Sequence, residues 1–212
     1  MSTMWKLLIT GLAIAGATAV LAAPAQFDYY VLSLSWAPEF CTQPGAAAAN
    51  GAECATGKDV GFVVHGLWPQ NNAGKSPESC GPAGRLSKAV IDFILPYMPN
   101  AGLIQHEWAT HGTCTGLTPS NYFANVLQVR SAVQFPVQFT AAQEKAMESP
   151  GLIESQFARS NPSFPDGAFR SACRNGALTE VRVCFNKDLS PRACTASAGE
   201  CTTSSIAILP PR

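Results

Sequence analysis

The sequence predicts an α+β fold on three observations. Strand-like and helix-like segments are mixed, without the regular alternation that builds a parallel sheet. The 212 residues are 47% hydrophobic and only 13% charged, too apolar for a disordered or coiled-coil chain. Eight Cys offer cross-links in addition to a core. Lys plus Arg number 14, as do Asp plus Glu. The net charge of zero argues against a polyanion binder that works by bulk charge, so any nucleic-acid chemistry has to come from a local site.

Residues 1–23 read as a secretory signal peptide. Lys6 is followed by an uncharged apolar run, and Ala23-Pro24-Ala25 gives a small-residue cleavage pattern. Cleavage is expected after position 22, 23 or 25. A membrane anchor is the alternative, but the run is about 17 residues, at the low end for a span, and has no charge beyond it. Residues 24–212 then form one domain, with one Lys fewer and 13 basic against 14 acidic residues. About 187 residues are enough to bury a core. All eight Cys lie in this part, and an even count in an exported chain reads as four disulfides. No CxxC pair is present, so the zinc-ribbon spacing is missing. Spacing alone leaves 105 pairings open.

Residues 27–36 (FDYYVLSLSW) are aromatic and β-branched and predict a strand. Residues 41–57 are small and predict a surface loop. A short apolar run at 60–64 predicts a buried strand, and 71–84 predicts a loop. Apolar residues at helical spacing predict a helix over 86–97. Thr118-Pro119 is a capping hydroxyl followed by a first-turn Pro, which starts a helix running to about 132. Thr140 with Gln143 suggests a capping box and a short helix ending near Ser149-Pro150. Residues 178–185 (LTEVRVCF) alternate as a strand does, and 205–209 predict a last one.

The three histidines, His65, His106 and His111, fall in two short stretches: FVVHGLWPQ at 62–70 and HEWATHGTC at 106–114. If 106–113 is helical, Thr110, Glu107 and His111 lie about 40°, 100° and 140° round from His106, and Trp108 about 200°. Two imidazoles, a carboxylate and a hydroxyl then share one arc, with Trp108 pointing away to pack. The zinc motif HExxH needs its two His four residues apart; here they are five apart, which disfavours a metal hydrolase. General acid–base catalysis fits better, because a His pair can hold one base and one acid near neutrality. RNA cleavage uses such a pair. A base takes the 2′-hydroxyl proton, an acid protonates the departing 5′-oxygen, and no metal is required because the substrate carries its own nucleophile.

FVVHGLWPQ and HEWATHGTC closely resemble the two active-site segments of the ribonuclease T2 family. The resemblance continues in YYVLSLSWAPEFC (29–41) and LTEVRVCFNKDLSPRAC (178–194). It implies an α+β fold with a central, mostly antiparallel sheet, several surrounding helices and stabilising disulfides. It also implies an endoribonuclease that cuts single-stranded RNA by transesterification, giving a 2′,3′-cyclic phosphate and then a 3′-phosphate, without cofactor or metal. By resemblance His111 is the general base, His65 the general acid, His106 a phosphate ligand and Glu107 a stabiliser of the phosphorane. Trp68 resembles the family's base-stacking Trp, which suits low base specificity; the bland reading of both Trp68 and Trp108 is core packing.

The chain departs from the family pattern at three places. Thr110 stands where Lys commonly precedes the last His of the second segment, so the charge would have to come from a remote residue such as Lys75 or an Arg within 159–192. Leu103-Ile104 replaces an aromatic of the second base subsite, and Gln70 stands where some members carry Asp. The resemblance also implies the pairings Cys41–Cys54, Cys80–Cys114, Cys173–Cys201 and Cys184–Cys194. Expected overall is an exported monomer, periplasmic or extracellular, acting on single-stranded RNA with no membrane contact after signal removal. Two other readings are a non-catalytic RNA- or partner-binding member of the same fold, which only Thr110 favours, and the zinc hydrolase.

Overall fold

The computed structural model describes residues 25–141, 144–195, 198 and 201–212. The expected signal segment, residues 1–23, lies outside them, as does Gln143. The chain runs β1 (Tyr29–Trp36), α1 (Ala37–Phe40), α2 (Ala46–Ala49), β2 (Phe62–Gln70), α3 (Lys88–Ile94), α4 (Ala101–Thr110), α5 (Pro119–Ala132), β3 (Ala146–Glu148), α6 (Pro150–Ser160), β4 (Phe169–Arg174), β5 (Ala177–Asn186) and β6 (Ile206–Ile208). The fold is α+β. Its sheet has the order β2-β1-β5-β6-β3, with β4 also pairing β5. Every pairing is antiparallel except β5 with β6.

Alternation along β1 divides the sheet into two faces. Tyr30, Leu32, Leu34 and Trp36 enter the main core, where Tyr122, Phe123 and Val126 of α5 and Ile153 and Phe157 of α6 cover them. Tyr29 and Val31 point to the opposite face and join a smaller cluster with Cys184 and Ala198. Register on that opposite face sets three rows across β2, β1 and β5: Trp68–Val31–Cys184, Gly66–Ser33–Arg182 and Val63–Ser35–Glu180.

Several expected elements differ in the structure. The strand expected at 60–64 extends through the whole first segment, because β1 offers it a continuous antiparallel partner. The loop expected at 41–57 contains the short α2. Where a helix is expected between Thr140 and Ser149-Pro150, the described residues form β3, preceded by a 3-10 turn at Val137–Phe139. Ser149 instead caps the start of α6, accepting a hydrogen bond from the Leu152 N–H, with Pro150 in the first turn. This is the same start signal as Thr118-Pro119, which opens α5.

Four disulfides join Cys41 to Cys54, Cys80 to Cys114, Cys173 to Cys201 and Cys184 to Cys194. The Cys80–Cys114 bridge ties the loop after β2 to the turn after α4. The Ser79 N–H reinforces it by donating to the Thr110 C=O at 2.7 Å, and the Cys80 N–H by donating to Thr113 Oγ1 at 3.2 Å. A cross-link of that loop length contributes about 3–4 kcal/mol. No described helix is long and apolar enough to cross a membrane.

Candidate active site

His65 sits at a β-bulge. Ser33 pairs with Gly66 and Leu34 with Val64, so no β1 residue lies opposite His65. A bulge re-aims its extra side chain. Here the imidazole lies over the polar face, where Nδ1 meets Glu180 Oε1 at 2.9 Å. Gly66 follows directly. A Cβ at that position would overlap the Glu107 carboxylate and the Trp68 indole nitrogen, so glycine is what lets α4 bring its acid down onto β2.

The second segment is placed differently from the wheel drawn over 106–113. It forms the last turn of α4, not the start of a helix, and His111 is the C-cap residue. The arc is accordingly split. His106 is exposed, Glu107 is only 1% exposed, and His111 lies between these extremes. Glu107 is the centre of the cluster. Its Oε1 is 3.5 Å from His65 Nε2 and its Oε2 is 4.0 Å from His111 Nε2. The Trp68 Nε1–H donates to Oε2 at 2.8 Å. The Trp68 ring lies between the imidazoles, with centroids 5.3 Å from His65 and 5.4 Å from His111. Trp68 is therefore a half-exposed member of the cluster and not a core residue. Trp108 faces the other way, packing on Tyr122 and donating its indole N–H to the Ala83 C=O at 2.6 Å.

Three clefts meet at this cluster. One of about 270 Å³ is bounded by Val31, Trp68, Gln70, Glu78, His111 and Arg182. A second of about 390 Å³ is reached from His65 along Ser35, Glu180, Arg182 and Arg174. A third of about 340 Å³ lies between His65, His106, Glu53, Asn50, Asn100 and Leu103. Gln70 reaches the first cleft while its Oε1 accepts a hydrogen bond from Ser76. Thr110 is not among the residues lining any of the three; its carbonyl is taken up by Ser79. Among the described residues, no group of three or more His, Cys, Asp or Glu has the arrangement to hold a metal ion.

The profile of the Ribonuclease T2 family matches residues 27–194. The chain belongs to the ribonuclease T2 family. It is an endoribonuclease of that type. Over 167 residues it is 34% identical to a ribonuclease of Aeromonas hydrophila, a match covering 77% of this chain and 74% of that protein. Over 183 residues it is 30% identical to a probable ribonuclease of Haemophilus influenzae, covering 81% of this chain and 62% of that one. Solved structures share the fold. An RNase-related protein from Calystegia sepium aligns with a TM-score of 0.67 at 22% identity, covering 87% of this chain and 98% of its own. RNase NT, solved in complex with 5′-AMP, aligns with a TM-score of 0.65 at 21% identity, covering 88% and 100%.

The environment drives the site's titrating groups in opposite directions. Burial, helped by the charges of His106 and His65, lowers His111 to about 4. The His111 Nδ1 is buried with no hydrogen-bond partner among the described residues, so a proton there would meet no acceptor. Burial also lowers His65, but the hydrogen bond to Glu180 and the charges of Glu107 and Glu180 outweigh it and leave His65 above its ordinary value. Burial raises Glu107 to about 7, against the pull of His65 and the Trp68 N–H. Burial would raise Glu180 too, but His65 and Arg182 bring it down to about 2.

Sequence reasoning about single positions did not assign Glu180 or Arg182 to the site. The signal for them was the alternation of 178–185, which leaves both as polar side chains on the face away from the core.

Proposed function

We propose that this ribonuclease cuts single-stranded RNA by metal-independent transesterification, with His111 as base and His65 as acid. The observation that carries this reading is one buried carboxyl, Glu107, flanked at 3.5 and 4.0 Å by two imidazoles in opposite environments. His111, held neutral by burial, takes the proton of the ribose 2′-hydroxyl. The 2′-oxygen bonds to phosphorus, the bond to the 5′-oxygen breaks, and the His65 proton goes to that oxygen. The product is a 2′,3′-cyclic phosphate. Reversing the roles of the two rings delivers water to the cyclic ester and leaves a 3′-phosphate. Below about pH 7 Glu107 carries a proton and can donate it in a hydrogen bond to a phosphorane oxygen. His106, exposed on the third cleft, is suited to hold a phosphate oxygen, and the Trp68 face can stack any base, which favours low specificity.

Four disulfides suit an oxidising compartment. They support export to a periplasm or to the outside, where our reading has the enzyme act as a monomer after removal of residues 1–23.

The pH–rate profile in the presence of EDTA tests this reading. His111 must be neutral, so the rate climbs as pH passes about 4. Glu107 must be protonated, so the rate falls above about 7; His65, held above its ordinary value by Glu180 and Glu107, must be protonated as well. The two limbs belong to the coupled cluster, not to single residues. A bell between these limits is expected. A rate that requires added metal, or that keeps rising through pH 8, would overturn the assignment.

A further inference from the structure

Two charged side chains on the site's face of the sheet have no part in the mechanism above. β5 places Glu180 opposite Ser35 and Arg182 opposite Ser33, and Ser33 in turn pairs with Gly66. Both residues therefore stand across β1 from the bulge that carries His65. We propose that Glu180 and Arg182 belong to the catalytic apparatus, Glu180 as the positioning residue that holds His65 through Nδ1 and Arg182 as the cation that receives the RNA phosphate. The proposal rests on the reading of His65 as the acid.

Glu180 is only 13% exposed, and its two oxygens are used on two sides. Oε1 meets His65 Nδ1 at 2.9 Å and Oε2 accepts from Arg182 Nε at 2.9 Å. An ionised carboxylate only accepts, so Nδ1 of His65 is the nitrogen that keeps a hydrogen. That fixes the tautomer and the ring plane, leaving Nε2 turned to Glu107 and the centre of the site. Arg182 in turn locks the carboxylate. Its Nη1 donates to the Ala198 C=O at 3.3 Å, and its guanidinium lies 5.4 Å from the centroid of the Trp68 ring.

The guanidinium lines both the His111 cleft and the His65 cleft. A phosphate lying between the two imidazoles therefore lies beside it. The substrate is anionic and the ionised Glu180 carboxylate stands beside it, so a fixed cation is needed at that point. Thr110 brings no charge and lines neither cleft, and Lys75 is exposed on the loop after β2 and lines neither. A guanidinium offers a planar fork that matches phosphate oxygens. Glu107, Glu180 and Arg182 set the charge on His65; the other titratable groups near it are His111, and Glu53 and His106 across the third cleft.

Two substrates separate the roles. A dinucleoside monophosphate needs a proton on its leaving oxygen; uridine 3′-(4-nitrophenyl phosphate) does not, because nitrophenolate leaves unaided. Glu180→Gln should slow the dinucleotide by roughly 10- to 100-fold, with a defect at least about tenfold smaller on the nitrophenyl ester. The falling limb of its pH–rate profile should move to lower pH. Arg182→Met should slow both substrates, by about tenfold or more. His65→Phe is the control for the underlying reading and should show the same selectivity as Glu180→Gln. If His65→Phe slows both substrates equally, the assignment of the acid fails. If His65→Phe is selective but Glu180→Gln is fully active, or slows both substrates alike, the positioning role fails by itself. Full activity of Arg182→Met overturns the cation role. Imidazole nitrogen NMR of the unaltered protein gives a check that needs no variant: neutral His65 should carry its hydrogen on Nδ1, and a hydrogen on Nε2 alone would overturn the Glu180 contact.

Discussion

His111→Phe should fold as the parent does and cut RNA at least about 100-fold more slowly, the lower end of the contribution from an acid–base group. The His111 backbone N–H, which donates to the Glu107 C=O at 2.9 Å, survives the change. The imidazole has little bonding to lose, since Nδ1 has no partner among the described residues and Nε2 is 4.0 Å from the nearest carboxylate oxygen. A phenyl ring can take the same place beside Trp68. Stability should therefore stay level while the base disappears. His65→Phe should lose as much activity, and Glu180 keeps Arg182 as its partner. Initial rates and thermal unfolding of both variants decide the matter. A variant retaining most of the parent's activity would mean that its ring is not part of the chemistry.

Gly66→Ala should be as damaging to activity and should also destabilise, for a reason that lies in packing. One methyl group would occupy the space of the Glu107 carboxylate and the Trp68 indole N–H. Glu107 has no solvent to turn into, being 1% exposed. The carboxyl must move, break its 2.8 Å bond to Trp68 and leave its place between the imidazoles. Overpacking of this kind costs about 1–3 kcal/mol, or roughly 2–12 °C in Tm for a chain of this size. The rate should fall about 100-fold or more, since misplacement of about 1 Å is that costly. Gly51→Ala is the control, because its added methyl meets nothing within 4 Å. A Gly66→Ala enzyme with the parent's rate would show that the carboxyl does not need its present position.

Part of this architecture was legible in the sequence. α5 has the limits that Thr118-Pro119 and the apolar spacing predict, because capping and Pro at the first turn are local signals. β1 follows from its aromatic and β-branched composition and β5 from alternation. Ser149-Pro150 carries the same cap chemistry, yet it opens α6 and does not close the helix that Thr140 and Gln143 suggest. A cap signal has a direction, and here it is shown by the apolar residues beyond it, Ile153 and Phe157, which are four apart and both buried on α6. The two histidine segments were visible as motifs, but their geometry was not. The bulge at His65 exists only once β1 pairs with β2. The wheel over 106–113 assumed one continuous helix, whereas α4 ends at Thr110 and turns His111 inward.

Glu180 and Arg182 were legible as polar positions of an alternating strand. Their place beside His65 depends on the pairing of β5 with β1, which joins residues about 150 apart in the chain. The sequence leaves the remote cation that Thr110 calls for open among basic residues such as Lys75 and the Arg of 159–192. The sheet register, which sets Arg182 opposite Ser33, is what puts it forward in our proposal. Disulfide partners likewise came from family resemblance, since spacing leaves all pairings open.

The most direct measurement is the chemical nature of the new ends when single-stranded RNA is cut in EDTA. Mass spectrometry of early products should find 2′,3′-cyclic phosphates opposite free 5′-hydroxyls, with 3′-phosphates accumulating later. New 5′-phosphate ends, or no cleavage until a divalent metal is restored, would contradict the account, because neither outcome can come from a 2′-hydroxyl attack managed by His111 and His65.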